Sequence, residues 1–362
     1  MTTTPVDHDT TLLHDLLAGV LRDHATVDDV RAAEDEGGFS SRLWEVLAEA
    51  GLPWVSVPEE AGGSGGTLGD ALGLQRLLGA AAAPVPVAET GLLAGWLLAD
   101  AGLEVPGPSP TTAAVAAGRV DVHRVGAAVR LSGELLGVPA ARHSGRLALL
   151  LDDGTVASLE LSRARVQPRA NLAGEARDTV LLDGVDVPAG DLGTAAGVDA
   201  EAFLLRARLA RVLGMVGAME RVLELTTRYA VEREQFGRPI ARFQAVQNHL
   251  VRVAEETACA RVSSDVAAAA LAAGQPQAAD WTAMASVTVS GAARVVSAGA
   301  HQVHGAMGMT REYPLALFTR RLWSWRAEYG SERAWQRLVG RTVAARRAEE
   351  YWPLVASGLA AS

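Results

Sequence analysis

Residues 229–250 read "YAVEREQFGRPIARFQAVQNHL", and the fold turns on how this stretch divides. Before it, Leu205, Leu209, Val212, Val216, Met219 and Leu223 recur at steps of three and four, and Phe243, Val246, Leu250, Val253 and Thr257 do so from Phe243 onward. That period belongs to helices that bury one face. Gly237 and Pro239 do not continue a helix, so the chain breaks at "REQFGRPI" and turns back. Two long helices joined by so short a turn are antiparallel neighbours in a bundle. The stretch places Arg233, Phe236, Arg238 and Gln244 at one turn.

Downstream, a third bundle helix is expected from about Pro276 to Gln302. A fourth starts at Pro314, a residue suited to a first helical turn, and a fifth covers "SERAWQRLVGRTVAARRAEEYW". Upstream, residues 10 to about 100 carry helical periods in "TTLLHDLLAGVLRDHA" and "SSRLWEVLAEAGL", the second closed by Gly51. The glycine-rich "VPEEAGGSGG" lacks the Gly-Lys-Ser/Thr of a phosphate loop and reads as a flexible connection. From "EVPGPSPTT" to about Leu192 the texture changes to short Val and Leu runs between turn residues, with Asp153-Gly154 at a hairpin turn. The expected fold is α+β in three parts. An N-terminal helical domain covers 1–103, a small middle β domain 104–195, and a C-terminal long-helix bundle 196–362.

Composition narrows the function. A chain of 362 residues with 49% hydrophobic and 21% charged residues is an ordinary globular protein. A net charge of −9, with arginines interleaved among acids, argues against nucleic-acid binding. The single Cys259 excludes an internal disulfide and a multi-cysteine metal site, and its alanine-rich surroundings predict a small buried hydrophobe. The N-terminal "MTTTPVDHDT" has neither the basic region nor the apolar core of a signal peptide. No apolar run reaches the ~20 residues of a membrane span, and a cytoplasmic location is expected. On chemistry, the Arg233 guanidinium suits a pyrophosphate, and Phe236, expected half-buried, could stack on an aromatic ring. "QVHGAMGMTREYP" adds the Gln302 amide and glycines that let a ligand approach the backbone.

Taken in order, "VPEEAGGSGG", "YAVEREQFGRPIARFQAVQ" and "QVHGAMGMTREYPL" resemble the acyl-CoA dehydrogenase family of flavoenzymes across nearly the whole chain. The resemblance implies FAD as cofactor and an acyl-CoA thioester as substrate. It implies that Arg233 binds the FAD pyrophosphate, and that Phe236, Gln302 and Ala306 touch the adenosine half, across a subunit interface onto a neighbour's flavin. Arg208 would contact the coenzyme A end, as in some members; the alternative is a solvated helix face.

Two departures qualify what the resemblance implies. The family's reaction needs a carboxylate to take the proton α to the thioester. The position immediately before Gly330, where most members carry a glutamate, is Tyr329, and the alternative position on the first bundle helix is Ala207. Glu328 remains as a candidate base, with Glu332 as the other nearby carboxylate; each could equally be an exposed or ion-paired residue. Residues 103–130 also lack the Thr-Glu-Pro and Gly-Ser-Asp segments that wrap the flavin ring in the family. Together these features are similar to the shorter subunit of heteromeric bacterial acyl-CoA dehydrogenases. The expected function is α,β-dehydrogenation of an acyl-CoA with a homologous partner subunit. The alternative is a non-catalytic subunit that completes a catalytic paralogue's FAD site.

Overall fold

The computed structural model describes residues 7–345 together with Glu349 and Trp352. The chain divides into two compact units, one of Met1–Leu77 and Ala83–Ala207, the other of Leu78–Ala82 and Arg208–Ser362. This division falls inside a long helix after Ala207, whereas the sequence placed its last domain boundary after residue 195.

The first unit begins with helices α1 (Asp7–His24), α2 (Val27–Asp35), α3 (Ser41–Glu49) and most of α4 (Leu68–Ala80). The second of these is too short to show a helical period, yet its start is written in the sequence. Thr26 and Asp29 form a reciprocal capping box, each side chain accepting from the other's backbone N–H. Gly51, at φ 69°, ends α3 as expected. A π-helical segment, Ala88–Gly95, is buried throughout and runs into α5 (Trp96–Asp100).

The β region follows within the same unit. Its strands are β1 (Thr111–Val115), β2 (Val120–Val125), β3 (Ala128–Pro139), β4 (Arg146–Leu150), β5 (Thr155–Glu160), β6 (Arg165–Gln167), β7 (Arg177–Val187) and β8 (Leu192–Thr194). They make two four-stranded sheets, in the orders β1-β4-β5-β8 and β2-β3-β7-β6. The turn at Asp153-Gly154 joins β4 to β5 as predicted, with Gly154 at φ 81°. One core takes residues from both sheets, including Leu131 and Leu135 of β3, Leu147 and Leu149 of β4, and Val180 and Leu182 of β7. Strand β3 shifts register against β7 between Leu131 and Gly133. Gly133 sits there at φ 151°, where an added Cβ would lie 2.2 Å from the Arg119 carbonyl oxygen, so only glycine fits.

Helices and sheets of this unit are tied by polar contacts at their seams. Trp44 Nε1 donates to the Pro108 carbonyl at 3.0 Å, and Thr90 Oγ1 donates to the Thr111 carbonyl at 3.0 Å. At the start of β7, Asp178 is fully buried; it accepts from the backbone N–H of Arg142 and Arg169 and pairs with the Arg142 guanidinium at 2.5 Å.

The second unit is the bundle: α6 (Ala200–Glu232, from Arg208 onward), α7 (Gln244–Ala272), α8 (Ala278–His304), α9 (Leu315–Trp325) and α10 (Glu332–Ala344). The break in the sequence lies where expected, between α6 and α7. The stripe expected on α6 widens in the middle of the helix: Leu209, Val212, Leu213, Met215, Val216, Ala218 and Met219 are all buried, so this part is covered around its circumference, while Leu204 and Val231 near the ends are exposed. Helix α7 buries one line only, Val253, Thr257, Ala260, Ser264, Ala267 and Ala270. Cys259 lies off that line and is exposed. The prediction of a buried thiol is therefore corrected; the alanine-rich sequence around it gives no polar contrast by which to tell the two faces apart. Among the described residues no helix is long and apolar enough to cross a membrane.

Candidate functional site

Strand residues Glu234–Gln235 (β9) and Arg238–Pro239 (β10) pair antiparallel between α6 and α7. Ile240 N–H donates to the Arg233 carbonyl at 2.8 Å and closes the hairpin. Its two tip residues, Phe236 and Gly237, both have positive φ, 53° and 76°, as in the two-residue turns that match strand twist. Glycine adopts that region freely, but a bulky aromatic there is an outlier that tends to mark function. Phe236 is also 91% exposed. The expected half-burial is therefore wrong: the left-handed turn throws the ring outward, against only the edge of Phe243 at a centroid distance of 6.1 Å.

Beneath the hairpin, Ala230 of α6, Ile240 and Val303 of α8 form a small apolar cluster, with Tyr229, Phe243, Val246 and Leu250 packed against it. That cluster brings the end of α8 to the hairpin. Gln302 and Ala306, either side of the α8 terminus, are exposed, as are Arg233 and Arg238. Arg238 lies 4.3 Å over the Phe243 ring. The residues singled out at the two sequence motifs thus share one corner of the bundle. The loop after α8 is held by aromatic packing: His304, Tyr229 and Tyr313 form a three-ring cluster, with centroid distances of 4.5 Å for Tyr229–His304, 4.7 Å for His304–Tyr313 and 5.5 Å for Tyr229–Tyr313. Tyr313 also donates to the Leu225 carbonyl at 2.9 Å.

Arg208 lies elsewhere in the bundle and is not on a solvated face. It is 0% exposed. Its guanidinium makes five hydrogen bonds: Nε to Ser286 Oγ, Nη1 to the carbonyls of Trp325 and Glu328, and Nη2 to the Ser286 carbonyl and Ser290 Oγ. Every donor of the side chain is engaged within the protein. Burial pushes this guanidinium down to about 10, with Glu328 acting the other way, so it stays charged at neutral pH.

The turn it holds carries Glu328, the candidate base. Glu328 is ion-paired through Oε2 to Arg211 Nε at 2.8 Å, and Glu332 to Arg326 at 2.5 Å. Both nearby carboxylates therefore have a guanidinium partner. Tyr329 has φ 54° and Gly330 φ 110°; a Cβ on Gly330 would lie 2.7 Å from Trp335 Nε1. Sequence reasoning missed Arg211, whose only signal was its spacing of three from Arg208 on one helix.

Along the chain, helices, a two-sheet β region and a long-helix bundle with an exposed Arg-Phe hairpin follow one another. Two family descriptions match this chain, "Acyl-CoA dehydrogenase, N-terminal domain" over residues 9–105 and "Acyl-CoA dehydrogenase, C-terminal domain" over residues 197–344. The acyl-CoA dehydrogenase IpdE2 of Mycobacterium tuberculosis is 31% identical over 86% of this chain and 89% of its own length. Its counterpart in Mycolicibacterium smegmatis is 29% identical over 86% of this chain and 91% of its own. The chain belongs to the acyl-CoA dehydrogenase family. Among solved structures, the ChsE4-ChsE5 complex from Mycobacterium tuberculosis contains a chain that superposes with TM-score 0.85 at 25% identity, covering 96% of this chain and 99% of that one. A variant of the Tcur3481-Tcur3483 steroid acyl-CoA dehydrogenase gives 0.82 at 28% identity over 93% and 98%.

Proposed function

We infer that this protein is one subunit of a heteromeric acyl-CoA dehydrogenase, which oxidises an acyl-CoA thioester between the α and β carbons with FAD. The observation that carries this reading is the exposure of Arg233, Phe236, Gln302 and Ala306 on the two segments that the Ala230, Ile240 and Val303 cluster brings together. Among the described residues no ion pair engages the Arg233 guanidinium, and the Phe236 ring is held in a strained turn with little of its own protein to cover it. A planar fork beside an outward aromatic fits a dinucleotide bound to a neighbouring chain. Arg233 would hold the pyrophosphate, and Phe236, Gln302 and Ala306 would face the adenosine half. Bound FAD would supply the acceptor for the hydride leaving the β carbon. Two relatives in solved structures carry paired names, ChsE4-ChsE5 and Tcur3481-Tcur3483, which supports a partner of the same family.

A second reading has its own observation. Glu328 and Glu332 are both ion-paired, so nothing in the Trp325–Gly330 turn favours a base, and the chain would then complete a catalytic paralogue's FAD site without doing chemistry itself. Flavin absorbance per protein separates both readings from a self-sufficient enzyme. The purified chain is expected to be colourless alone and to form a yellow complex with its partner. Changing Arg233 to Ala is expected to lower the flavin retained by that complex at least tenfold. Full flavin and full turnover in that variant would sink both heteromer readings.

A further inference from the structure

Arg208 and Arg211 stand three residues apart on α6, and both grip Glu328, one by its carbonyl and the other by its carboxylate. Arg208 also takes the Trp325 carbonyl and two serines of α8, Ser286 and Ser290. Its charge therefore fixes the turn to the side of the bundle. The Arg211 guanidinium lies 5.6 Å from the Trp325 ring and 5.9 Å from the Tyr329 ring. Its pair with Glu328 is well shielded, the side chains being 14% and 15% exposed. Tyr329, at φ 54°, keeps a conformation that persists only where the surroundings over-determine it, and the two arginines supply that constraint.

A general base needs a carboxylate with raised proton affinity and an open path to the substrate. A guanidinium in contact favours the charged form instead. We propose that Arg208 and Arg211 are the positioning residues of the Trp325–Gly330 turn, and that Glu328 is the anchor they hold, not the group that accepts the substrate's proton. This rests on the reading of the chain as a subunit of an acyl-CoA dehydrogenase.

The test uses the assembled complex, with flavin content measured first so that loss of cofactor is not mistaken for loss of positioning. Glu328→Gln removes the same ion pair as Arg211→Gln and is expected to lower kcat no further than that variant does, with its pH profile left in place. Arg208→Lys and Arg211→Gln are expected to lower kcat at least fivefold with KM within twofold, because the turn is displaced while binding is kept. In both, amide hydrogen exchange over residues 325–330 is expected to quicken at least tenfold, with the middle of α8 unchanged; this readout needs no substrate. A hundredfold fall in kcat for Glu328→Gln at full flavin content would overturn the proposal. So would unchanged exchange of the turn in both arginine variants. A complex indifferent to Arg233→Ala would instead overturn the heteromer reading and leave the exchange result to decide this one.

Discussion

Tyr229 and His304 stack with ring centroids 4.5 Å apart and planes 24° from parallel, which fastens the last turns of α6 to the end of α8. The His304 Nδ1–H donates to the Ala300 carbonyl at 2.8 Å, leaving Nε2 buried and without a hydrogen-bond partner among the described residues. Protonation would place an N–H there with no acceptor among the described residues. Burial accordingly lowers the affinity of His304 for a proton below the ordinary imidazole value of 6.5, against the opposing hydrogen bond to Ala300; burial does the same at His301.

A depressed imidazole means that the unfolded chain binds more protons than the folded one below about pH 6.5. The stability these histidines allow is therefore complete above that value. It declines as pH falls through the unfolded value and levels off once the folded-state value is passed. Melting temperature recorded from mildly alkaline to mildly acidic pH is expected to drop over that window, and His304→Phe, which keeps the ring stack, is expected to flatten part of the slope. Equal slopes for the two proteins would remove His304 from the account.

Phe236 offers a clean separation of folding from assembly. Because the ring is 91% exposed, Phe236→Ala is expected to change the stability of the isolated chain by no more than about 0.5 kcal/mol. Flavin retention by the complex, measured by visible absorbance, is expected to fall. A large loss of stability in denaturant would mean that the ring packs within its own chain.

The buried Asp178 carboxylate holds Arg142 and the Arg169 amide. Asp178→Ala leaves the Arg142 guanidinium without this partner, and the loss of one half of a buried pair costs about 3–5 kcal/mol. Urea unfolding followed by circular dichroism is the measurement, and a shift under about 1 kcal/mol would show the pair to behave as a solvated one.

Gly91 is placed by close approach, since a Cβ would lie 1.9 Å from the Pro53 carbonyl oxygen. Gly91→Ala is expected to destabilise by about 3 kcal/mol. Gly145, whose Cβ would meet nothing closer than 3.7 Å, serves as the matched control, and Gly145→Ala is expected to stay within about 1 kcal/mol. Similar losses in both would mean that the close approach at Gly91 is not what the substitution costs, since the entropy of the unfolded chain favours alanine at either site.

The sequence by itself determined the order of helices, strands and bundle, the break at Gly237 and Pro239, and the hairpin turn at Asp153-Gly154, because periodicity and turn chemistry are local properties of the chain. The capping box of α2 is local in the same way, carried by Thr26 and Asp29 alone. The two motifs named Arg233, Phe236, Gln302 and Ala306, which the tertiary structure brings to one corner through Ala230, Ile240 and Val303. What only the tertiary structure decided is which face each side chain meets. Arg206, Arg208 and Arg211 look alike in sequence, yet Arg206 stacks 3.4 Å over Trp96, while Arg208 is wholly buried and Arg211 is ion-paired to Glu328. A helix whose middle is covered around its circumference carries no stripe there to sort its arginines. The roles of Arg208 and Arg211 are set by partners far along the chain, on α8 and in the turn after α9. There the low dielectric of the interior requires every charge to find a carbonyl, a hydroxyl or a counter-charge.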